Sequence, residues 1–176
     1  MNPDALYYGG VAQAGVKVVK QSYDIMPKVI RAGGDGVLGA EILKGAGFPA
    51  AEGLYATNAS PNMLEDPQAK PVIERFVKKY NQQPENYSLT AYDAALVILD
   101  AVKRVAESGK EVNRANVRDA IQTSKLKTLQ GEVSFDENGD ITSKVISVYQ
   151  IHKDDKYPLD DVLHQYKFMG VAPQSS

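Results

Sequence analysis

Cysteine is absent from all 176 residues, which removes disulfides, thiolate catalysis and cysteine-ligated zinc or iron–sulfur sites together. The compartment stays open, because an exported protein need not contain disulfides. An excess of one charge sign is also missing: 20 Lys and Arg stand against 22 Asp and Glu, for a formal net charge of -2. No large field draws nucleic acid or an anionic membrane surface, so nucleic acid is excluded as an expected partner. Long hydrophobic runs are missing too, and none approaches the ~20 apolar residues of a membrane span. The opening "MNPDALYYGG" has no basic segment followed by an apolar stretch, so it is expected to carry no signal peptide.

What is present is a core-forming composition, 43% hydrophobic, in a chain long enough for one domain or two small lobes. "DALYYGG" reads as a buried strand ending at a glycine pair. A helical pattern over residues 11–23 puts Val11, Gly15, Val18 and Val19 on one face, Pro27 ends it, and "KVIRAG" follows as a second strand. A short helix in "LGAEILKGAG" and a third strand in "EGLYATN" complete a strand–helix alternation, the pattern of a parallel sheet with crossover helices.

The character changes at "NASPNMLEDPQAKP", a polar, proline-marked connector. Three helices are predicted beyond it, over 70–80, 88–108 and 114–124. In the second, Leu89, Tyr92, Ala95, Leu96, Leu99 and Val102 recur at helical spacing, and Gly109 stands where a helix-ending glycine belongs. Asn113 can cap the third. "GEVSFDENGDITSKVISVYQI" returns to strand character, with Asn138-Gly139 as a hairpin turn. The tail from Lys153 onward is too mixed to place. The apolar faces of the three helices want a sheet, and the segment between them offers none.

"GDGVLG" matches the G-x-G-x-x-G fingerprint formally. A dinucleotide fold presents helix N–H groups to a pyrophosphate there, and Asp35 would oppose that anion. Glu52 is a poor ribose-binding acid, since it precedes its strand. Two other readings remain: Asp35 caps the next helix beside turn-forming glycines, or it sits at the C-terminal end of a parallel strand. In the latter position an unshielded carboxylate accepts charge-assisted hydrogen bonds from a ligand ammonium. "FDENGDI" lacks the spacing of an EF-hand and is read as a turn. His152 and His164 have no metal-ligand companions, so no metal and no cofactor is expected. An α/β enzyme with Asp35 as base lacks any nucleophile or partner base, so no catalytic residue is expected.

"ALYYGGVAQAG", "AGGDGVLG", "EGLYATN", "YSLTAYDAALVILDAVKRV" and "GEVSFDENGDITSKVISVYQ" occur in one order across about 150 residues. Together they resemble the second half of the branched-chain amino acid binding proteins of ABC transporters, the type I periplasmic binding proteins. In that family two α/β lobes joined by three crossovers close on a small ligand, and an acidic residue of the second lobe takes the α-amino group.

The resemblance implies that role for Asp35, with Gly10, Val11, Gly34 and Tyr87 around the ligand. Family members often carry a tyrosine where Val11 stands, which leaves the side-chain preference undefined. Tyr7 and Tyr8 are assigned to the strand core. The implied fold class is an α/β, parallel-sheet lobe of a type I periplasmic binding protein, plus crossover helices of a second lobe whose own sheet is missing. The boundaries that follow are 1–56 for the ligand-binding lobe, 57–128 for the crossover helices, 129–152 for the return strands and 153–176 for the tail.

The resemblance further implies a segment of a longer, periplasmic or extracytoplasmic protein. Its partners would be an amino acid-like ligand and an ABC permease, and self-association or helix exchange would hide the uncovered helices. The alternative is a ligand-sensing domain of a receptor or regulator with the same architecture.

Overall fold

The computed structural model describes residues 3–173, apart from the side chain of Asn86. The chain divides into two compact units, one running to Pro61 and resuming at Val145, the other spanning Asn62–Lys144.

The first unit is built on β1 (Ala5–Tyr8), α1 (Ala12–Ile25), β2 (Ile30–Gly33), α2 (Ala40–Ala46) and β3 (Tyr55–Asn58). A helix between successive strands carries the chain back to its starting end, so β1, β2 and β3 pair in parallel, with Ala5 opposite Ile30 and Ala32 opposite Tyr55. The sheet grows on the β3 side by two antiparallel strands, giving the order β1-β2-β3-β6-β7, with β6 at Ser147–Ile151 and β7 at Tyr166–Val171. The expected strand–helix alternation is therefore present, in a sheet of mixed rather than purely parallel pairing.

α1 and α2 pack on each other, and their apolar faces meet the sheet in a core of Val19, Val37, Ile42, Leu43, Leu54, Tyr149, Ile151 and Tyr166. A charged side chain also enters this layer. Arg31 on β2 is 8% exposed and donates to the carbonyls of Ala50 and Glu52, the latter at 2.7 Å, and to Val19 at 3.4 Å. Its guanidinium also lies 5.6 Å from the Tyr23 ring centroid, and desolvation pulls its pKa below the ordinary arginine value.

The alternate face of the sheet is open: Tyr7 is 67% exposed and Ile30 58%. This corrects the core assignment of Tyr7, because the period-2 alternation of an edge strand turns it away from the helices. Tyr8 does pack against the core.

The tail has a definite structure. A helical turn, α6 (Val162–Gln165), leads into β7 and buries Gln165 completely. Its amide donates to the carbonyls of Asp154 (2.9 Å) and Pro158 (3.2 Å) and accepts from the Asp154 N–H (2.9 Å), so one side chain closes the loop before it. Lys44 bonds Asp160 at 2.9 Å and holds that carboxyl below its ordinary pKa.

The second unit holds α3 (Lys70–Tyr80), α4 (Asn86–Glu107) and α5 (Arg114–Gln122), then a two-stranded antiparallel sheet of β4 (Lys125–Thr128) and β5 (Gly131–Ser134). The helix-end signals act as expected: the Asn113 side chain accepts from the Asn116 N–H, and Gly109 takes a positive φ of 73° after α4. β5 falls in the predicted strand segment, whereas β4 and its pairing with β5 were not expected.

α4 buries Leu89 of the stripe that its spacing suggests, but not the rest of that face. The buried line runs on through Asp93, Val97, Ala101 and Val105, whereas Leu99 is 64% exposed. Asp93 is inside because its carboxylate accepts the backbone N–H groups of Leu129 (3.1 Å) and Gln130 (2.9 Å), fastening the β4–β5 turn to the helix. The turn at Asn138-Gly139 is present, closed by Asp136, whose carboxylate accepts from the Asn138 and Asp140 amides; a single bridge, Phe135 to Ile141, flanks it.

Candidate ligand-binding site

Parallel α/β sheets offer ligands the loops beyond the carboxyl ends of their strands, and here three such loops lie in one unit. β1 ends in Gly9-Gly10-Val11, β2 in Gly34-Asp35-Gly36, and β3 in Asn58-Ala59-Ser60. After β2 the chain makes a single turn of 3-10 helix over Asp35–Val37, closed by the Leu38 N–H donating to the Asp35 carbonyl at 3.0 Å.

Close packing joins the first two loops. A Cβ on Gly36 would stand 2.5 Å from the Gly10 carbonyl oxygen and 3.1 Å from the Val11 Cα, so only glycine lets the Asp35 turn lie against the turn after β1. A Cβ on Gly10 would clash with the hydroxyl end of the Tyr8 side chain, and that hydroxyl donates to the Val11 carbonyl at 3.1 Å. Gly34 lies beside the Tyr7 hydroxyl.

Asp35 is exposed on this turn, and Val11, 64% exposed, flanks it as the residue before α1. Asp35 does not cap α2: that helix starts at Ala40 behind Gly39, with no side-chain cap. At the third strand end, Asn58 is buried and donates to the Ser60 hydroxyl at 2.6 Å, and Ser147 from β6 donates to the Ser60 carbonyl at 2.7 Å. This buried polar cluster fixes the point where the chain leaves the sheet. The sequence reads Asn58 as a strand end, Ser60 as connector and Ser147 as strand, with no sign of their contact.

Of the residues singled out from sequence, Gly10, Val11, Gly34 and Asp35 are brought together by the packing of these loops. Tyr87 lies in the other unit, 52% exposed in the first turn of α4. Glu52, the ribose candidate, is committed elsewhere: its carboxylate meets His152 Nδ1 at 3.1 Å and accepts the Lys153 N–H at 2.9 Å. His164 is bonded to Asp161 at 2.9 Å and stacked on Tyr157.

The second unit contains a cavity of about 330 Å³ under α4, α5 and β5, lined by Ala94, Val97, Ile98, Ile121, Val133 and Phe135. That wall is apolar, and its one carboxylate, Asp93, is already bonded to two amides, so it has little to orient a polar solute. Among the described residues no group of three acidic, imidazole or thiol side chains is placed to hold a metal ion.

Loops at the strand ends of an α/β lobe, one of them presenting a carboxylate, belong to the class of sites where such folds take small ligands. The comparisons give that class a family. The model of the "Periplasmic binding protein" family matches residues 1–156, and the chain belongs to this family, one of binding proteins rather than enzymes.

It is similar to the leucine-, isoleucine-, valine-, threonine- and alanine-binding protein of Pseudomonas aeruginosa, with 32% identity over 151 residues, 85% of this chain and 38% of that one. Among solved structures it resembles the leucine-binding protein LivK of Thermotoga maritima (TM-score 0.76, 27% identity, 97% of this chain and 45% of the other). The fold also matches the branched-chain amino acid transporter substrate-binding protein LivJ of Streptococcus pneumoniae, solved with isoleucine (TM-score 0.72, 21% identity, 94% and 44%). The chain spans about two fifths of the length of the curated relatives it matches.

Proposed function

We propose that this chain is part of an extracytoplasmic solute-binding protein that captures an amino acid or a related small amine-bearing solute for an ABC transporter, and that Asp35 receives the ligand's ammonium group. One observation carries the reading: an exposed carboxylate stands at the end of a central parallel strand, on a turn whose glycine is wedged against the neighbouring strand-end loop. The relatives' names supply the ligand class. The Gly10–Val11 turn and Gly34 border the ligand, and the assignment of Tyr87 rests on the family resemblance alone. The units correspond to a ligand-binding lobe and to the helices that cross to a second lobe. The partner in the membrane is an ABC permease. The exposed Ile98 and Leu99 of α4 support self-association of the chain as it stands.

Affinity is expected to be weak, because closure of two complete lobes is what excludes water from such a site. The test is an L-leucine titration at millimolar concentration, followed by backbone NMR. Saturable shifts are expected at Val11, Gly34 and Asp35. Asp35→Ala should weaken binding by about 2 kcal/mol, or thirtyfold, the value of a hydrogen bond to a charged group. An unchanged affinity in Asp35→Ala would remove the ammonium-binding role.

A further inference from the structure

The turn that carries Asp35 is held from a distant part of the chain. Tyr166, the first residue of β7, is 4% exposed, and its hydroxyl reaches the last residue of the 3-10 turn and the backbone just beyond it. It donates to the Val37 carbonyl at 2.7 Å and accepts the Gly39 N–H at 3.2 Å; the Gly39 carbonyl lies 3.3 Å away. A hydroxyl has one proton and two lone pairs, so donation to Val37 and acceptance from Gly39 use it well.

Without this hydroxyl two backbone groups would lose a partner at the point where the chain passes from the turn into α2. The Val37 side chain, 1% exposed, is wedged beside Gly33 and Gly15, and the turn's outer side rests on Gly10 and Val11. Steric contacts therefore confine the turn above and below, and the Tyr166 hydroxyl supplies the hydrogen bonds that fix its downstream backbone.

We propose that Tyr166 is a positioning residue for the Asp35 turn, an assignment that rests on the ligand-binding reading of that turn. It touches no ligand. It sets where the carboxylate stands, by holding the Val37 carbonyl and the Gly39 amide against the core.

The test uses the full chain and Tyr166→Phe, which keeps the ring and removes only the hydroxyl. Hydrogen exchange of the Gly39 amide should accelerate about tenfold or more, the consequence of losing one buried hydrogen bond, while the Ile151 amide, bonded to Leu54 within the sheet, keeps its rate. L-Leucine affinity should fall about fivefold to tenfold, the scale of one buried hydrogen bond, and the loss should shrink below about twofold when Asp35→Ala is already present, because coupled residues are not additive.

Unchanged Gly39 exchange would overturn the assignment. So would an equal loss of affinity in both backgrounds, since that is general loosening of the lobe. If Asp35→Ala binds leucine like wild type, the ligand reading fails and this inference fails with it. If Asp35→Ala weakens binding and Tyr166→Phe does not, only the positioning role fails.

Discussion

Gly36→Val is expected to destabilise the chain by about 3 kcal/mol and to abolish the leucine-induced shifts at Val11 and Asp35. The reason is steric. A Cβ at this position meets backbone on the other side, the Gly10 carbonyl oxygen at 2.5 Å and the Val11 Cα at 3.1 Å, and neither can swing aside as a side-chain tip would. Overpacking of this kind costs roughly 1–3 kcal/mol where side chains can adjust and more where they cannot. To relieve it the Asp35 turn must separate from the Gly10–Val11 turn, which spreads the proposed ligand-contacting residues.

A control sits three residues on. A Cβ at Gly39 meets nothing within 4 Å, and its φ of 170° is ordinary extended backbone, so Gly39→Ala should change stability by under about 0.5 kcal/mol. Urea unfolding followed by circular dichroism compares the two. Equal midpoints would show that the two loops do not depend on their contact.

Arg31→Met should be nearly as damaging, again by about 3 kcal/mol. The substitution keeps a flexible apolar stem in the space and removes the guanidinium, leaving the Ala50 and Glu52 carbonyls without their donor. Each buried polar group left unsatisfied costs about 1–3 kcal/mol. Desolvation of the native cation, visible in its lowered pKa, offsets part of what those bonds contribute, so the net loss stays below their sum. Arg31→Lys should recover little, because an ammonium cannot fork to Ala50 and Glu52 together. A loss under about 1 kcal/mol for Arg31→Met in the same urea series would mean that water replaces the guanidinium at those carbonyls.

Much of the first unit was legible because local signals and tertiary demand agree there. The apolar runs at β1 to β3, the glycine ending α2 and the proline after α1 are each sufficient locally, and their alternation forces parallel pairing. Asp35 stood out from its glycine neighbours alone. That Gly36, rather than any other glycine, is the sterically constrained one could not be read, since the constraint comes from the Gly10 carbonyl, which belongs to another strand end.

α4 shows the opposite situation. Ala91, Ala94, Ala95, Ile98 and Leu99 are as apolar as the residues it buries, so spacing cannot choose a face; the β4–β5 turn chooses it, by giving Asp93 two amides. β4, written Lys-Leu-Lys-Thr, has too few apolar residues to announce a strand and exists through pairing with β5. The tail was illegible for a related reason. Its order rests on Gln165 and Tyr166, polar and aromatic residues whose partners are loop carbonyls, and no periodicity encodes such a partnership.

Whether Asp35 receives a positively charged nitrogen is decided by pairing L-leucine with 4-methylpentanoate, the same carbon skeleton and carboxylate without the amine. Calorimetric or NMR titration of the wild-type chain should show leucine bound about thirtyfold more tightly, and Asp35→Ala should reduce that ratio to about one, the loss of a charge-assisted hydrogen bond. A wild-type chain that binds both acids equally, or an Asp35→Ala chain that keeps the full preference for leucine, would mean that Asp35 does not receive the ammonium group.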